Sequence, residues 1–419
     1  MIVLRVKGFC VFFSILILFS VFATSDETVK VVVKEAQGRS GPGSFYELKV
    51  LIPEGTILKV IEKKKSWYKV TYLKETVWVS ENSLSVESDS SKSSKKDIFE
   101  SISIEDVTSV KASPATLTAA IKGFWTRYSG TDKGNLAELP VNGYDVPVNY
   151  FESFSRDRSD AVSRDNLQRK YRIPRKYKKS RMTYEKEHSI GYTIASSIAE
   201  GSLVENKELI NYIYSVGWYI AESTEHYDIR FTFYILDTDR INAVSCPGGY
   251  VVLTRGLLEL IHDESELAAL LAHEMSHVIA GHAMQSMEES EVSIKADSAF
   301  DLLEKETEAS SEVEGELIAI TSRAVSIATS PKLNEQEFEA DRMALRYMAR
   351  SGYDLNGLSR MLTTMMNKHE SNIDIFDLNY RNHPDFKERI KRVEKELRNY
   401  RKYEGRQFSE SFRSIMIFK

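Results

Sequence analysis

The rhythm of apolar and polar positions changes several times along the chain. Arg5 and Lys7 precede a nearly unbroken apolar run, Phe9 to Phe22, and Ala23, Thr24 and Ser25 follow it. Residues 29–86 then alternate over short stretches rich in β-branched and aromatic residues. Val29–Val33, Glu47–Leu51, Ile57–Glu62, Trp67–Tyr72 and Thr76–Val79 predict five short strands. Turn signals at Gly38 to Gly43, Pro53-Glu54-Gly55 and Lys63 to Ser66 separate them, as in a small barrel. Residues 87–113 are rich in serine and charge, with little to bury, and read as a linker. After Pro114 a helix is expected to about residue 135. The stretch to about 183 shows no clear period and carries a basic run, Arg169 to Arg181, read as a solvated face or as a contact for anionic lipid or polymer. From Tyr184 the period becomes helical. Glu187–Gly201, Asn206–Glu222, Glu264–Met284, Asn334–Ser351 and 385–402 predict helices, and 286–328 is helix-rich with an acidic middle. Ile229–Leu236 alternates as a strand, and the next segment reads as strand, turn, strand. The fold class expected is a mainly α (α+β) domain over 114–403, preceded by a small all-β barrel over 26–86 and followed by a tail, 404–419.

Length and composition narrow the class. A chain of 419 residues suits two or three domains. With 42% hydrophobic and 28% charged residues, most of it can bury a core. A formal net charge of -5 argues against a nucleic-acid partner and a strongly anionic surface. The charged, apolar, small-residue order of residues 1–25 is that of a secretory signal, and its apolar run is shorter than the roughly 20 residues of a membrane span. An uncleaved anchor is the alternative. No later stretch reaches spanning length, so at most peripheral membrane contact is expected. Of the two cysteines, Cys10 would leave with the signal, so Cys246 has no disulfide partner in the mature chain and reads as a small packed thiol.

The segment "VLIPEGTILKVIEKKKSWYKVTYLKETVWVSENSL" resembles a bacterial SH3-like domain, with Trp67 after the basic turn and Trp78 in the last strand. The resemblance covers this segment only. It implies binding to cell wall or peptide; the alternative is that both tryptophans are core.

The chemistry concentrates in "LLAHEMSHVIAGH". Helical positions four apart lie about 40° from one another, so His273 and His277 project from one face and can reach one Zn²⁺. Glu274 lies beside that face, where its carboxylate can act as general base without ligating the metal. The preceding "ESELAALLA" is apolar at helical spacing, which buries the motif. A catalytic zinc takes three protein ligands and leaves a position open. His282 is five residues past His277, about 140° around a continuing helix, and is expected to point away. The better third ligand lies in "NEQEFEADRMALRYMA". There Glu337 and Asp341 share a helical face, so Glu337 can ligate while Asp341 supports from behind. Glu335 and Glu339 read as solvated.

His-Glu-x-x-His with a downstream Glu-x-x-Ala-Asp looks like the gluzincin zinc metallopeptidases of the CAAX prenyl protease, HtpX and Oma-type family. "NAVSCPGGYVVLTRGLL" is similar to the segment preceding the metal helix in that family, and "NHPDFKERI", with His383-Pro384 and Arg389, to its downstream element. The motifs follow in order over roughly 184–400. Two departures stand out: Lys332 is the nearest basic residue before the third ligand, and 286–315 is unusually acidic. Without transmembrane helices the chain resembles the soluble periplasmic, BepA- and LoiP-like branch.

The resemblance implies a zinc-dependent metalloendopeptidase, one Zn²⁺ per chain, acting on misfolded or misassembled envelope proteins. It implies a periplasmic or outer-membrane-associated location. Glu274 and Asp341 are the implied catalytic residues, and His273, His277 and Glu337 the metal ligands. Asn242, Gly248 and Gly249 are expected beside the substrate cleft, with Tyr250–Leu253 pairing with an extended substrate. An ordinary hairpin turn at the glycines is equally open. Arg389 is a candidate for oxyanion support or an ion pair with Asp341. His383, before Pro384, is a candidate regulatory ligand that would close the open position, or else a structural residue. The alternative function is a zinc-containing chaperone-like or binding protein that rarely cleaves.

Overall fold

The structure, a computed structural model, describes residues 27–86, 139–140, 143–173, 184–199, 202–289, 326–327, 330, 333–377 and 385–416. The expected signal (1–25), the linker (87–113), the helix after Pro114, most of the basic and acidic runs, and His383-Pro384 lie outside the described residues.

The N-terminal unit is all β. Its strands are β1 (Thr28–Val31), β2 (Glu35–Arg39), β3 (Leu48–Pro53), β4 (Ile57–Lys64), β5 (Trp67–Tyr72), β6 (Glu75–Ser80) and β7 (Leu84–Val86). They form one antiparallel sheet in the order β3-β2-β6-β5-β4-β1-β7. Val29, Val31, Ala36, Ile52, Leu58, Val70, Val77 and Val79 fill its core. Seven strands correct the expected five. The missed β2, "EAQGR", has no β-branched or aromatic residue and contains Gly38, a turn signal; pairing with β3 overrides its weak propensity. The other, β7, is three residues long, too short for its Leu-Ser-Val alternation to read as a strand.

The C-terminal unit is mainly helical. Its helices are α1 (Val148–Val162), α2 (Arg164–Lys170), α3 (Tyr184–Ile198), α4 (Lys207–Ala221), α5 (Arg255–Leu258), α6 (Glu264–Ala280), α7 (His282–Glu289), α8 (Asn334–Ser351), α9 (Asn356–Ser371), α10 (Phe386–Leu397) and α11 (Ser409–Ile415). A three-stranded sheet lies among them: β8 (Thr232–Leu236), β10 (Tyr250–Thr254) and β9 (Ala243–Cys246), in that order. The central strand, β10, runs parallel to β8 and antiparallel to β9. Both its edges are used, so Tyr250–Leu253 has no free edge for a substrate; β8 and β9 are the edge strands, and β9 is the one that meets α6.

Helix α6 runs through the main core. Leu267 to Ala272, Met275 and Ile279 are buried around its circumference. A helix buried on all sides has no solvent face to orient it, so its ends carry much of the polar anchoring. Asp263 caps the N-terminus by accepting the Glu266 amide at 2.9 Å. Arg360 of α9 ties Asp263 (2.8 Å), Glu266 (3.2 Å) and Asp354 (2.8 Å) together. Glu264 is fully buried, and Arg158 grips it bidentately at 2.9 and 2.7 Å while the Tyr353 hydroxyl donates at 2.9 Å. Such pairing is what a buried carboxylate requires. The C-terminus stops at Gly281, whose left-handed φ of 70° suits glycine. This corrects the single helix expected to continue to Met284: α7 begins in a new direction at His282. The stretch expected as a C-terminal tail contains α11, whose Phe412 is buried in the main core.

The two units are packed together. Phe45, in the β2–β3 loop, joins the main core against Phe151 (ring centroids 4.4 Å apart) and Trp218 (5.9 Å). Trp67 packs edge-on against Tyr227, whose hydroxyl donates to the Ser66 carbonyl at 3.1 Å and accepts from Ser80 at 3.1 Å. Asn82 donates to the Glu225 carbonyl (2.9 Å) and to Asp228 (3.1 Å). Glu35 accepts the first amide of α3, that of Tyr184, at 2.9 Å. A loosely tethered β module, as the linker composition suggests, would make none of these contacts. Phe45→Ala is therefore expected to destabilise the helical unit by about 3 kcal/mol, the low end for a buried phenylalanine. Urea unfolding followed by far-ultraviolet circular dichroism, which helices dominate, checks this. A helical transition unmoved by the substitution would mean that the interface contributes nothing.

Candidate metal centre

Three side chains from two helices converge. On α6, His273 and His277 are one helical turn apart, and their Nε2 atoms lie 3.1 Å from each other. From α8, Glu337 reaches both: Oε2 is 3.3 Å from His273 Nε2, and Oε1 is 3.3 Å from His277 Nε2. A tetrahedral zinc with bonds of 2.0–2.1 Å sets its ligand atoms about 3.3 Å apart. Two imidazole nitrogens and a carboxylate are also the donor set that zinc selects. The residues fit the ion, and they are the three named from spacing.

Two of these candidate ligands, His273 and Glu337, are held by Asp341 and Arg389. His273 Nδ1 faces Asp341 Oδ1 at 3.0 Å, which fixes Nε2 as the metal-facing atom. Asp341 in turn receives Arg389 bidentately, from Nε at 2.9 Å and Nη2 at 2.7 Å. The remaining Arg389 nitrogen, Nη1, lies 2.9 Å from Glu337 Oε2. Arg389 is buried and makes the expected ion pair with Asp341, adding a contact to Glu337. Burial would raise the Asp341 carboxyl, but Arg389 and His273 hold it below its ordinary value. Burial and Arg389 would lower the His273 imidazole, but its hydrogen bonds to Asp341 and Glu337 prevail and raise it to about 9. Burial lowers His277 despite Glu337 nearby.

Glu274 follows His273 on α6 and is nearly buried. Ser245, from edge strand β9, donates its hydroxyl to the Glu274 carboxylate and lies 3.0 Å from the Glu274 carbonyl. That contact brings β9 to the general-base candidate. Nothing in the sequence pattern singled out Ser245. Asn242, one residue before β9, donates to Asp377 at 2.7 Å and takes no part in the triad of ligands. Gly248 and Gly249 form the β9–β10 turn with φ of 72° and 91°. A Cβ on Gly248 would meet the His188 backbone at 3.0 Å, and one on Gly249 the Arg230 carbonyl at 2.8 Å. The turn itself is thus seated between α3 and the segment that leads into β8. Cys246 is buried in the smaller core.

His282 departs from its expected direction. Gly281 reverses the chain, so the His282 ring returns to His277, with the two Nδ1 atoms 2.8 Å apart. Glu339 is exposed, as expected, and its carboxylate lies 3.4 Å from His282 Nε2.

A model of peptidase family M48 matches residues 211–397. The putative beta-barrel assembly-enhancing protease of Vibrio cholerae is 30% identical over 198 residues, 45% of this chain and 40% of the relative. The beta-barrel assembly-enhancing protease of Escherichia coli K12 is 28% identical over 182 residues, 42% of this chain and 37% of the relative. Mitochondrial metalloendopeptidase OMA1 of Schizosaccharomyces pombe is 27% identical over 170 residues, 41% of this chain and 48% of the relative. This chain thus spans less than half the length of each of these curated relatives.

The raised His273 pKa sets the pH dependence of metal binding. Below about 9 the metal-free site holds a second proton on His273, at Nε2, and zinc must displace it. His277, shifted down, holds no competing proton at neutral pH. Zinc affinity is therefore expected to fall by about tenfold for each unit of pH lowered from 8 to 7, one proton being exchanged per metal. Competition with a chelator of known pH dependence measures it. An affinity flat over that range would exclude a protonated His273 in the metal-free site.

Proposed function

We propose, from the premise that residues 211–397 form a domain of peptidase family M48, that this protein is a zinc-dependent endopeptidase. The observation that carries the reading is the triangle of His273, His277 and Glu337 atoms at zinc spacing, with Glu274 next to the first of them. A zinc ion held there supplies Lewis-acid polarisation of a peptide carbonyl and makes a water molecule more acidic.

The chain's own groups do the remaining work. Glu274 takes the proton from the attacking water and delivers it to the leaving nitrogen. Ser245 holds the Glu274 carboxylate in a single orientation through its hydroxyl. Asp341 keeps the His273 proton on Nδ1, which leaves Nε2 free to ligate. Its part in catalysis is this positioning. Arg389 balances the charge of Asp341 and Glu337. An extended peptide pairs with the edge of β9, next to Glu274, by strand addition. Asn242, Gly248 and Gly249 contribute by fixing where β9 begins and turns. Strand addition reads backbone more than side chains, so it favours unfolded chains or strands that have not joined a sheet. Two of the relatives are named for β-barrel assembly, and substrates of that class, in the cell envelope, fit this mode.

The secretory pattern of residues 1–25 supports export, and no helix among the described residues is long and apolar enough to cross a membrane. The β unit is proposed to be SH3-like. Its Trp67 is engaged by Tyr227, so any cell-wall or peptide ligand would have to use another face of that unit. A zinc-containing chaperone that does not cleave is the second reading; intact Glu274 disfavours it.

Glu274→Gln is expected to keep zinc and lose at least a hundredfold of casein cleavage, the usual worth of a general base. Undiminished cleavage would remove the mechanism. Ser245→Ala is expected to lower kcat several-fold with zinc content unchanged, as one hydrogen bond of about 1 kcal/mol implies. An unchanged kcat would leave Ser245 as a packing residue.

A further inference from the structure

We propose that His282 is a positioning residue for the metal ligand His277, the middle member of a histidine–histidine–carboxylate chain ending on Glu339. The inference rests on the metal-site reading above and goes beyond it. His277 Nε2 points at His273 and Glu337, 3.1 and 3.3 Å away, so it is the ligating atom. Its other nitrogen, Nδ1, lies 2.8 Å from His282 Nδ1. Two ring nitrogens at that distance share one proton, with one donating and the other accepting. A histidine that ligates through Nε2 carries its proton on Nδ1, so His277 donates and His282 accepts. His282 then carries its own proton on Nε2, which faces the Glu339 carboxylate at 3.4 Å. The arrangement specifies both tautomers.

The geometry depends on Gly281. Its left-handed conformation ends α6 and returns His282 over the last turn of the metal helix. His282 is only 1% exposed, and a buried imidazole is costly unless it is hydrogen-bonded. Glu339 stands two residues after the ligand Glu337 on α8. The chain therefore links the helix that carries two ligands to the helix that carries the third. The two ligand histidines are supported unequally. A carboxylate paired with a buried arginine holds His273, and a neutral imidazole holds His277.

The test uses the full chain, with the metal removed and zinc titrated back against a competing chelator. Asparagine and leucine are close in shape, and asparagine Oδ1 stands where histidine Nδ1 does, so His282→Asn keeps the acceptor while His282→Leu removes it. His282→Leu is expected to weaken zinc binding by about ten- to a hundredfold, and His282→Asn to stay within a few-fold of the native chain. The thermal stabilities of the metal-free proteins should rank the other way, because leucine suits a buried site better than an amide. Native zinc affinity in His282→Leu, or equal losses in both variants, would overturn the proposal. Loss of zinc in His282→Leu as complete as in His273→Ala would make His282 a ligand instead. A native chain that binds no zinc, or a His273→Ala variant that binds it as well as the native chain, would overturn the metal-site reading itself.

Discussion

Burying the Glu337 and Asp341 carboxylates beside two imidazoles is feasible because one guanidinium joins them. Arg389, from α10, closes two hydrogen bonds on Asp341 and a third contact on Glu337. Without a counter-charge, carboxylates so deeply buried would be driven towards their neutral forms. Glu337 would then be a poor metal ligand, and Asp341 a weaker acceptor for the His273 proton. Arginine suits the position because its planar fork meets one carboxylate with two donors and keeps a third for the other. Asp341 and Glu337 are four residues apart on α8, the spacing that one guanidinium can bridge.

The rest of the unit holds α6 still beneath this cluster. A helix buried on every side is free to rotate or slide unless its ends are fixed. Asp263 and Glu264 fix one end through Arg360 and Arg158, and Gly281 fixes the other by ending the helix. From the opposite side β9 sets Ser245 against Glu274. The β unit contributes at a distance: Glu35 caps α3, and α3 packs on the turn between β9 and β10. Its Phe45 is part of the same core that surrounds α6. The N-terminal sheet is thus a structural member of the unit that bears the candidate metal centre.

The candidate metal ligands were legible because helical periodicity is a local property. His273 and His277 are related by one turn of one helix, and so are Glu337 and Asp341. Any helix spanning those residues places each pair on one face. The bounds of α8 were legible for the same reason. The strands β2 and β7 were not, since a strand's stability depends on a partner distant in sequence and "EAQGR" carries no local preference. The direction of His282 was misjudged by extending α6 past Gly281. A glycine at that place is itself a stop signal, so the error lay in giving apolar periodicity precedence over it.

By itself the sequence named the candidate chemistry: two imidazoles and a base at helical spacing on one helix, and a carboxylate on a second. Spacing along one helix is fixed by backbone geometry and needs no knowledge of the fold. What the sequence could not decide is which distant groups stand behind those residues. That Ser245 meets Glu274, that Arg389 bridges Asp341 and Glu337, and that Glu339 turns to His282 are contacts across 29, 48 and 57 positions of chain. Each depends on how separate elements pack, and packing is settled by the whole core at once. A local pattern carries no record of it, so only the tertiary structure assigned these residues their partners.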